Sequence, residues 1–315
     1  MVQNPFEGVF APLVSVFNEQ EELQVDAIIR NVHRYNQTPL RGYMPLGSNG
    51  EFQGLNDHEA LTILEAVVSQ KAPDKIVVGG CGRESVPKTV QFIKQAASYG
   101  LDYAFLLPPQ YFAKQIRPEG LLRFYQSVAD QSPIPIVVYN APKFAAGISL
   151  SPQFISQLAP HPNIVALKNS SDTPNQEYAQ WTAGADFSLI AGNIGTFYSG
   201  LCDGAVGGVL STASYLPEYC CLLFQLFSQH KLDWAKLLSS RLQKLSLASA
   251  GPLGVAGVKA AMTLRGFEGG HVRLPLLDLS EEKRLELSRV FHTFHIPPFP
   301  ISAEEALHWC MDGEL

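Results

Sequence analysis

The chain has 315 residues, of which 46% are hydrophobic and 17% charged, and its formal net charge is −6. This balance is typical of a globular protein with ample core material, and an acidic surplus without a basic stripe argues against a nucleic-acid partner. The N-terminus, Met1–Pro5, lacks a basic region followed by an apolar stretch, and no apolar run reaches about 18 residues. We therefore expect neither a signal peptide nor a membrane span.

The cysteines predict the redox compartment. Their number is odd and no CxxC pair occurs, which favours reduced thiols in a cytoplasmic protein. Neighbouring Cys220 and Cys221 are interpreted as small apolar residues on a helix, rather than as a metal or redox site. The histidines show no HxH or HExxH spacing, so no metal is predicted. The cysteines are Cys81, Cys202, Cys220, Cys221 and Cys310.

Short apolar runs recur along the first two thirds of the chain. Continuous apolar runs are typical of parallel strands that are covered on both faces. Eight such strands are predicted: Gly8–Phe17, Gly42–Leu46, Lys75–Cys81, Asp102–Leu107, Ile134–Tyr139, Asn163–Lys168, Phe187–Ala191 and Ala205–Leu210.

Amphipathic stretches between these strands predict helices, for example over Asp57–Lys71, Ser85–Tyr99, Arg117–Gln131 and Ser151–Leu158. Eight strand-then-helix units in roughly 220 residues match the size of a (β/α)8 barrel, so the fold class is α/β with a TIM barrel. A doubly wound sheet is the alternative. It would need fewer strands and a glycine-rich loop after the first one, where this chain has Asn18-Glu19-Gln20-Glu21.

The pattern changes after Leu210, where helices follow one another without strands. They are predicted over Leu216–His230, Leu232–Ala250, Gly257–Leu264 and Ser280–Phe291, the last with Ser280 as its N-cap. The run Pro297–Pro300 predicts an extended arm, with a short helix over Ala303–Met311. We therefore divide the chain into a barrel with the active site (1–225), a C-terminal helical region (226–294) and a proline-rich tail (295–315).

Lys168 is the most informative single residue, because it ends the sixth predicted strand. In a barrel, catalytic groups lie at the carboxyl ends of the strands. Burial there disfavours the ammonium form, so such a lysine attacks a carbonyl as a neutral amine. The alternative is an ordinary lysine whose ammonium reaches out to water.

Other strand ends carry polar or flexible segments. Gly47–Glu51 (GSNGE) is a tight turn that either faces an anion such as a carboxylate or caps the next helix. Tyr139 is either a proton donor and acceptor at the mouth or a packed aromatic residue. Pro108-Pro109 stiffen a loop that presents Tyr111. The glycines in Gly204–Val209 either admit a ligand close to the backbone or serve close packing.

Five motifs occur in an order that resembles the dihydrodipicolinate synthase / N-acetylneuraminate lyase family. They are GSNGE at 47–51, the Pro-x-Tyr loop ending at Tyr111, YNAP at 139–142, Lys168 and the Gly-Gly-Val strand ending at Val209. The resemblance runs from about Gly8 to about Leu279. It implies a (β/α)8 barrel with a helical C-terminal part. It also implies a class I, Schiff-base mechanism on pyruvate or a pyruvate-containing substrate, with a covalent imine and no separate cofactor.

The resemblance also implies residue roles. Lys168 would form the imine and Tyr139 would act as the general acid and base. Ser48 and Asn49 would replace the hydroxyl-bearing pair that holds the substrate carboxylate and relays a proton. Tyr111 resembles the tyrosine that family members lend to a neighbouring subunit. A homo-oligomer built as a dimer of dimers is therefore expected.

Further contacts to a small 2-oxo acid are predicted from Gly47, the backbone of Val209 and Ser170. Two departures from the family pattern bear on the substrate. The turn reads Ser48-Asn49 where the family often has two threonines, and the stretch Lys143–Gly147 lacks the arginine usual in synthases. A lysine there does not reproduce the bidentate fork of an arginine.

The motifs GSNGEF and Ser170-Ser171 look more like those of the 4-hydroxy-2-oxoglutarate aldolases of the family. We therefore predict a carbon-carbon lyase that cleaves a 4-hydroxy-2-oxo acid to pyruvate and an aldehyde, or catalyses the reverse condensation. The alternatives are dihydrodipicolinate synthesis, cleavage of a sialic or sugar acid, and a non-catalytic ligand-binding barrel. Loss of Lys168 or Tyr139 would mark the last, and both are present.

Overall fold

A computed structural model describes residues 4–311, so the first three residues and the last four of the predicted tail lie outside it. Eight parallel strands close into a barrel in chain order. The predicted barrel is therefore confirmed, and the doubly wound alternative is wrong. The strands are β1 (Gly8–Pro12), β2 (Gly42–Met44), β3 (Ile76–Gly80), β4 (Tyr103–Leu106), β5 (Ile136–Asn140), β6 (Ile164–Asn169), β7 (Ser188–Ala191) and β8 (Gly207–Val209).

Helices follow the strands on the outside of the barrel, and further helices complete the chain after β8. The first seven are α1 (Val25–Tyr35), α2 (Asp57–Gln70), α3 (Val86–Ser98), α4 (Pro118–Gln131), α5 (Pro152–Leu158), α6 (Asn175–Trp181) and α7 (Phe197–Cys202). The rest are α8 (Pro217–Ser228), α9 (Leu232–Ala248), α10 (Gly254–Leu264), α11 (Glu281–Thr293) and α12 (Ala303–Met311).

Side chains alternate between two apolar layers along each strand, as the two-residue repeat of a strand requires. On β6, Ala166 belongs to the cluster inside the barrel, whereas Leu167 belongs to the layer between strands and helices. The same alternation places Lys168 inside. These two layers confirm the sequence prediction that the strands are covered on both faces.

Seven of the eight strands are shorter than predicted, and β1 differs most. The apolar run of β1 was expected to continue to Phe17, but pairing ends at Pro12 because its neighbour β2 ends at Met44. Beyond it the chain stays buried without being part of the barrel. Phe17 instead forms isolated antiparallel bridges to Leu23 and His271. The apolar run therefore predicted burial correctly, but the strand ends where β2 no longer pairs with it.

The C-terminal region folds back onto the barrel helices. Helix α12 begins and ends at the predicted residues, and it packs against α8. The Arg241 guanidinium of α9 donates to the carbonyl oxygens of Trp309 and Cys310 at 2.6 and 2.5 Å. Ser280 accepts from the Lys283 N–H and caps α11 as predicted. The division of the chain at 225 and 294 remains a prediction, and α8 spans the first of these positions.

Cys220 and Cys221 are unpaired and buried on α8, as interpreted from the sequence. Burial raises the pKa of both thiols, which keeps them protonated. Within residues 4–311 no single helix has both the length and the apolar composition to cross a membrane. Only the pair formed by α9 and 251–264 meets those criteria together, across a 41° bend.

A buried ion pair joins the barrel helices to the C-terminal region. Glu218 of α8 accepts from the Arg265 guanidinium at 2.6 Å, and the two side chains are 7% and 0% exposed. Arg265 also donates through Nε to the carbonyl oxygen of Tyr215 at 3.0 Å. Removing one partner of such a pair leaves a buried charge without compensation.

We expect Glu218→Ala to lower the free energy of unfolding by about 3–5 kcal/mol, because it leaves the buried Arg265 charge unpaired. Urea denaturation followed by circular dichroism measures the change. The matched control is Glu286→Ala, which breaks the exposed pair with Lys283 and should cost about 0.5 kcal/mol or less. Equal effects of the two substitutions would contradict the assigned role of the buried pair.

Candidate active site

Lys168 crosses the interior of the barrel from β6 to β2. Its side chain is 5% exposed, and Nζ lies 3.5 Å from the Sδ atom of Met44 at the end of β2. Because the strands close in chain order, β2 and β6 are on opposite sides of the barrel. The amine therefore lies near the centre of the barrel, at the carboxyl ends of the strands, where barrel enzymes place their chemistry.

Tyr139 lies beside this amine on the neighbouring strand. Tyr139 and Lys168 are register partners in the β5–β6 pair, and Nζ lies 4.0 Å from the centroid of the tyrosine ring. The ring is 2% exposed and meets Phe105 edge-on with a centroid separation of 5.7 Å. Strand pairing therefore fixes the tyrosine against the lysine.

The electrostatics favour a neutral amine at Lys168. Burial lowers its pKa, and the interaction with Tyr139 opposes that shift only in part. No described carboxylate forms an ion pair with Nζ. A lysine that loses its proton more easily than usual carries a larger fraction of nucleophilic amine near neutral pH.

The turn Gly47–Gly50 follows β2, the strand whose last residue touches the amine. Gly47 and Asn49 are buried and Ser48 is half-buried. The Asn49 amide donates to the Ser211 hydroxyl at 3.0 Å, which ties the turn to the segment after β8. The described structure therefore places the predicted carboxylate-binding turn at the same end of the barrel as Lys168.

Two more predicted residues border this site. The Ser170 hydroxyl is buried and has no hydrogen-bond partner among the described residues. It fits only because position 192 is glycine, since a Cβ on Gly192 would lie 1.9 Å from this hydroxyl. Val209 on β8 is 2% exposed and belongs to the same interior cluster as Tyr139.

Tyr111 does not join this cluster within the chain. It is 81% exposed on the loop after β4, where its ring packs edge-on against Phe112. The Glu84 carboxylate accepts from the backbone N–H groups of Gln110 and Tyr111 at 3.0–3.1 Å. The loop is therefore held in place while its aromatic side chains face outward.

A recess of about 200 Å³ opens at the carboxyl ends of β3 and β4. Arg83 lines it, but its guanidinium donates to the Asp57 carboxylate at 2.7 and 3.0 Å. The guanidinium also stacks on Phe92, 3.7 Å from the ring centroid. Arg83 is therefore already neutralised, whereas Lys143 is exposed and makes no described ion pair.

Within residues 4–311, no three or more His, Cys, Asp or Glu side chains are arranged to hold a metal ion. The predicted independence from metals and cofactors remains a prediction. The groups at the barrel mouth are an amine, a phenol, hydroxyls and amides. Such a set is suited to covalent and acid–base chemistry.

The sequence profile of the Dihydrodipicolinate synthetase family matches residues 5–293. The chain belongs to this family. The resemblance noted from the sequence motifs is thus confirmed, as is the prediction of an enzyme of the carbon-carbon lyase class.

Relatives of this family member carry different activities in their names. A 4-hydroxy-tetrahydrodipicolinate synthase of Methanothrix thermoacetophila is 31% identical over 90% of this chain and 96% of its own. A probable mitochondrial 4-hydroxy-2-oxoglutarate aldolase of Emericella nidulans is 30% identical over 90% and 93%. The crystal structure of a dihydrodipicolinate synthase from Thermotoga maritima superposes with a TM-score of 0.84, at 25% identity over 92% and 99% of the two chains.

Sequence reasoning about this family member missed Met44, the neighbour of the lysine amine. Its position as the last residue of a buried strand was visible, but its contact with a residue 124 positions away was not. It also missed Lys259, which pairs with Glu51 behind the turn at 2.5 Å. A lone lysine in a predicted helix gave no signal of that partner.

We expect Lys168→Met to stabilise the fold at neutral pH by about 1 kcal/mol or more, because it replaces a buried amine with an apolar chain. Since the folded-state pKa of Lys168 is lowered, its cost to stability is greatest at low pH. It fades as pH rises through the folded pKa toward the unfolded value. Denaturant unfolding at pH 7 and pH 10 should therefore show a larger gain at pH 7.

The control is Lys143→Met, which alters an exposed lysine and should change the unfolding free energy little at either pH. Two results would contradict a buried Lys168 amine with a lowered pKa. One is a lower unfolding free energy of Lys168→Met at pH 7, and the other is a stabilisation that grows as the pH rises.

Proposed function

We propose that this chain is a Schiff-base-forming aldolase that cleaves a 4-hydroxy-2-oxo acid to pyruvate and an aldehyde, or joins the two. The observation that carries the proposal is the buried Lys168 amine, without a carboxylate partner, packed against Tyr139 at the barrel mouth. A structural lysine in this position would need a counter-ion, whereas a nucleophile needs its amine free.

The reaction starts with attack of the neutral Lys168 amine on the C2 carbonyl of the substrate. Proton transfers convert the adduct to a protonated imine with loss of one water. The imine withdraws the electron pair of the C3–C4 bond while the 4-hydroxyl loses its proton, which releases the aldehyde and leaves an enamine. Protonation of the enamine at C3 and hydrolysis by one water release pyruvate and restore the amine.

Tyr139 is the proposed general acid and base, because it lies beside Nζ and is fixed by the strand register. A phenol in that position exchanges a proton with the carbinolamine oxygen and with the 4-hydroxyl. Ser48 is proposed to relay the proton onward, together with Tyr111 of a neighbouring subunit. The exposed Tyr111 and Phe112 support a dimer of dimers in which Tyr111 enters the partner's mouth.

The turn Gly47–Gly50 is proposed to bind the substrate carboxylate. Ser48 and Asn49 offer a hydroxyl and an amide, and the surrounding backbone supplies N–H donors. Preorganised donors stabilise charge effectively in a site from which water is excluded. The Ser170 hydroxyl and the backbone of Val209 complete the proposed contacts, and the unpartnered Ser170 hydroxyl is available to a substrate oxygen.

The charges at the rim of the barrel bear on which distal group of a substrate the site accepts. The segment Lys143–Gly147 contains no arginine, and the Arg83 guanidinium is paired with Asp57. A semialdehyde carboxylate is best held by the two parallel donors of an arginine, and neither of these described segments offers an arginine without an ion-pair partner. That favours an aldolase over a synthase, with Lys143 as the available cation for a distal carboxylate. We also propose a cytoplasmic enzyme that needs no metal or cofactor.

We expect pyruvate and borohydride, with EDTA present, to add a stable reduced adduct at Lys168, because among residues 4–311 it is the amine at the mouth that is both buried and without an ion-pair partner. Peptide mapping by mass spectrometry locates the adduct. Lys168→Ala should give none and should lose turnover while staying folded, and Lys143→Ala is the control that keeps it. An adduct on another lysine, or a dependence on metal, would contradict the proposed mechanism.

The aldolase assignment is tested by comparing kcat/KM for two reactions of the same preparation. We expect cleavage of 4-hydroxy-2-oxoglutarate to exceed condensation of pyruvate with aspartate semialdehyde by about 30-fold or more, the worth of one charged hydrogen-bonded pair. If the condensation is faster, the synthase activity named for the Methanothrix relative is the better assignment, while the imine at Lys168 stands.

A further inference from the structure

A buried ion pair lies directly behind the turn Gly47–Gly50. The Glu51 carboxylate, next in sequence after the turn, lies 2.5 Å from Nζ of Lys259, and the two side chains are 4% and 2% exposed. Lys259 belongs to α10, in the helical region after the barrel. The pair therefore connects the C-terminal region to the proposed carboxylate-binding turn.

Such a pair is a weak source of stability, because desolvating two charges offsets most of their attraction. The pair instead fixes the positions of the two side chains, because burying either charge away from the other would be strongly unfavourable in free energy. Lys259 also donates to the carbonyl oxygen of His271, and Glu51 accepts from the Arg273 N–H at 2.8 Å. Glu51 is thus held from two segments of the C-terminal region.

The backbone of the turn needs such support. Leu46 and Glu51, which flank it, have φ angles of +62° and +51°. Residues other than glycine adopt this left-handed region rarely, and they persist there when the surroundings enforce it. One further constraint comes from the barrel side, where the Ser15 hydroxyl donates to the Gly50 carbonyl oxygen at 2.6 Å.

The close packing under the turn allows little relaxation. The carbonyl oxygen of Leu46 would lie 2.1 Å from a Cβ at position 80, so β3 must carry Gly80 there. The start of the turn is therefore packed against β3 through Leu46, and its end is joined to α10 through Glu51.

We infer that Glu51 and Lys259 are positioning residues that hold Gly47–Gly50 in the shape that receives the carboxylate of a 2-oxo acid. This inference rests on the proposed function, because it takes the turn to be the carboxylate site. It makes α10 part of the active-site framework, although neither residue touches the substrate. We expect the pair to affect the affinity for the 2-oxo acid more than it affects the rate of the chemical step.

The test uses the full chain with Glu51→Gln, Lys259→Met and the double variant. Both replacements keep the approximate length of the side chain, and the double variant leaves no buried charge unpaired, so it should fold. Pyruvate is titrated in the borohydride assay and adduct at Lys168 is measured by mass. We expect the half-saturating pyruvate concentration to rise about 10- to 100-fold, because a small misplacement of binding groups has effects of this size. The maximal amount of adduct and kcat should change far less.

The matched control is a second buried pair, Arg265→Met with Glu218→Gln, which has similar burial but in which the Arg265 side chain donates to Glu218 and Tyr215 rather than to the turn. It should leave the half-saturating concentration unchanged. Folded double variants of Glu51 and Lys259 with wild-type half-saturation would overturn the inference, as would an equal shift in the control pair. Absence of any adduct in the wild-type chain would instead overturn the proposed function, and the inference with it.

Discussion

The constraint on which the structure depends is the burial of one lysine amine among apolar side chains. Lys168 lies between Met44 and Tyr139 with no described carboxylate to balance it, so its ammonium form is disfavoured. The barrel makes this possible, because eight paired strands surround the amine and fix both neighbours. The buried amine lowers stability at the position proposed for the nucleophile, and functional sites commonly conflict with the stability of their fold in this way.

The candidate site is assembled from distant parts of the chain. The amine comes from β6, its phenolic neighbour from β5 and the proposed carboxylate turn from the end of β2. The helices after the barrel add the Lys259 ammonium behind that turn. A region that carries none of the proposed substrate contacts thus contributes to their placement.

Sequence patterns predicted the parts that depend on local burial. All eight strands, the short helix α12 and the cap of α11 could be located because continuous apolar runs, amphipathic spacing and Ser280 report local structure. The end of β1 was wrong because it depends on where β2 stops. The Met44–Lys168 contact and the Glu51–Lys259 pair depend on the tertiary fold, so neither residue's neighbours in sequence could reveal them.

The central claim is that Lys168 sheds its proton more readily than an ordinary lysine. An NMR pH titration of the chain labelled at the lysine ε-carbons measures this directly, and the signal missing from Lys168→Met assigns the residue. We predict that this signal titrates below the ordinary lysine pKa of about 10.4. A Lys168 signal that titrates together with the exposed lysines would contradict the claim.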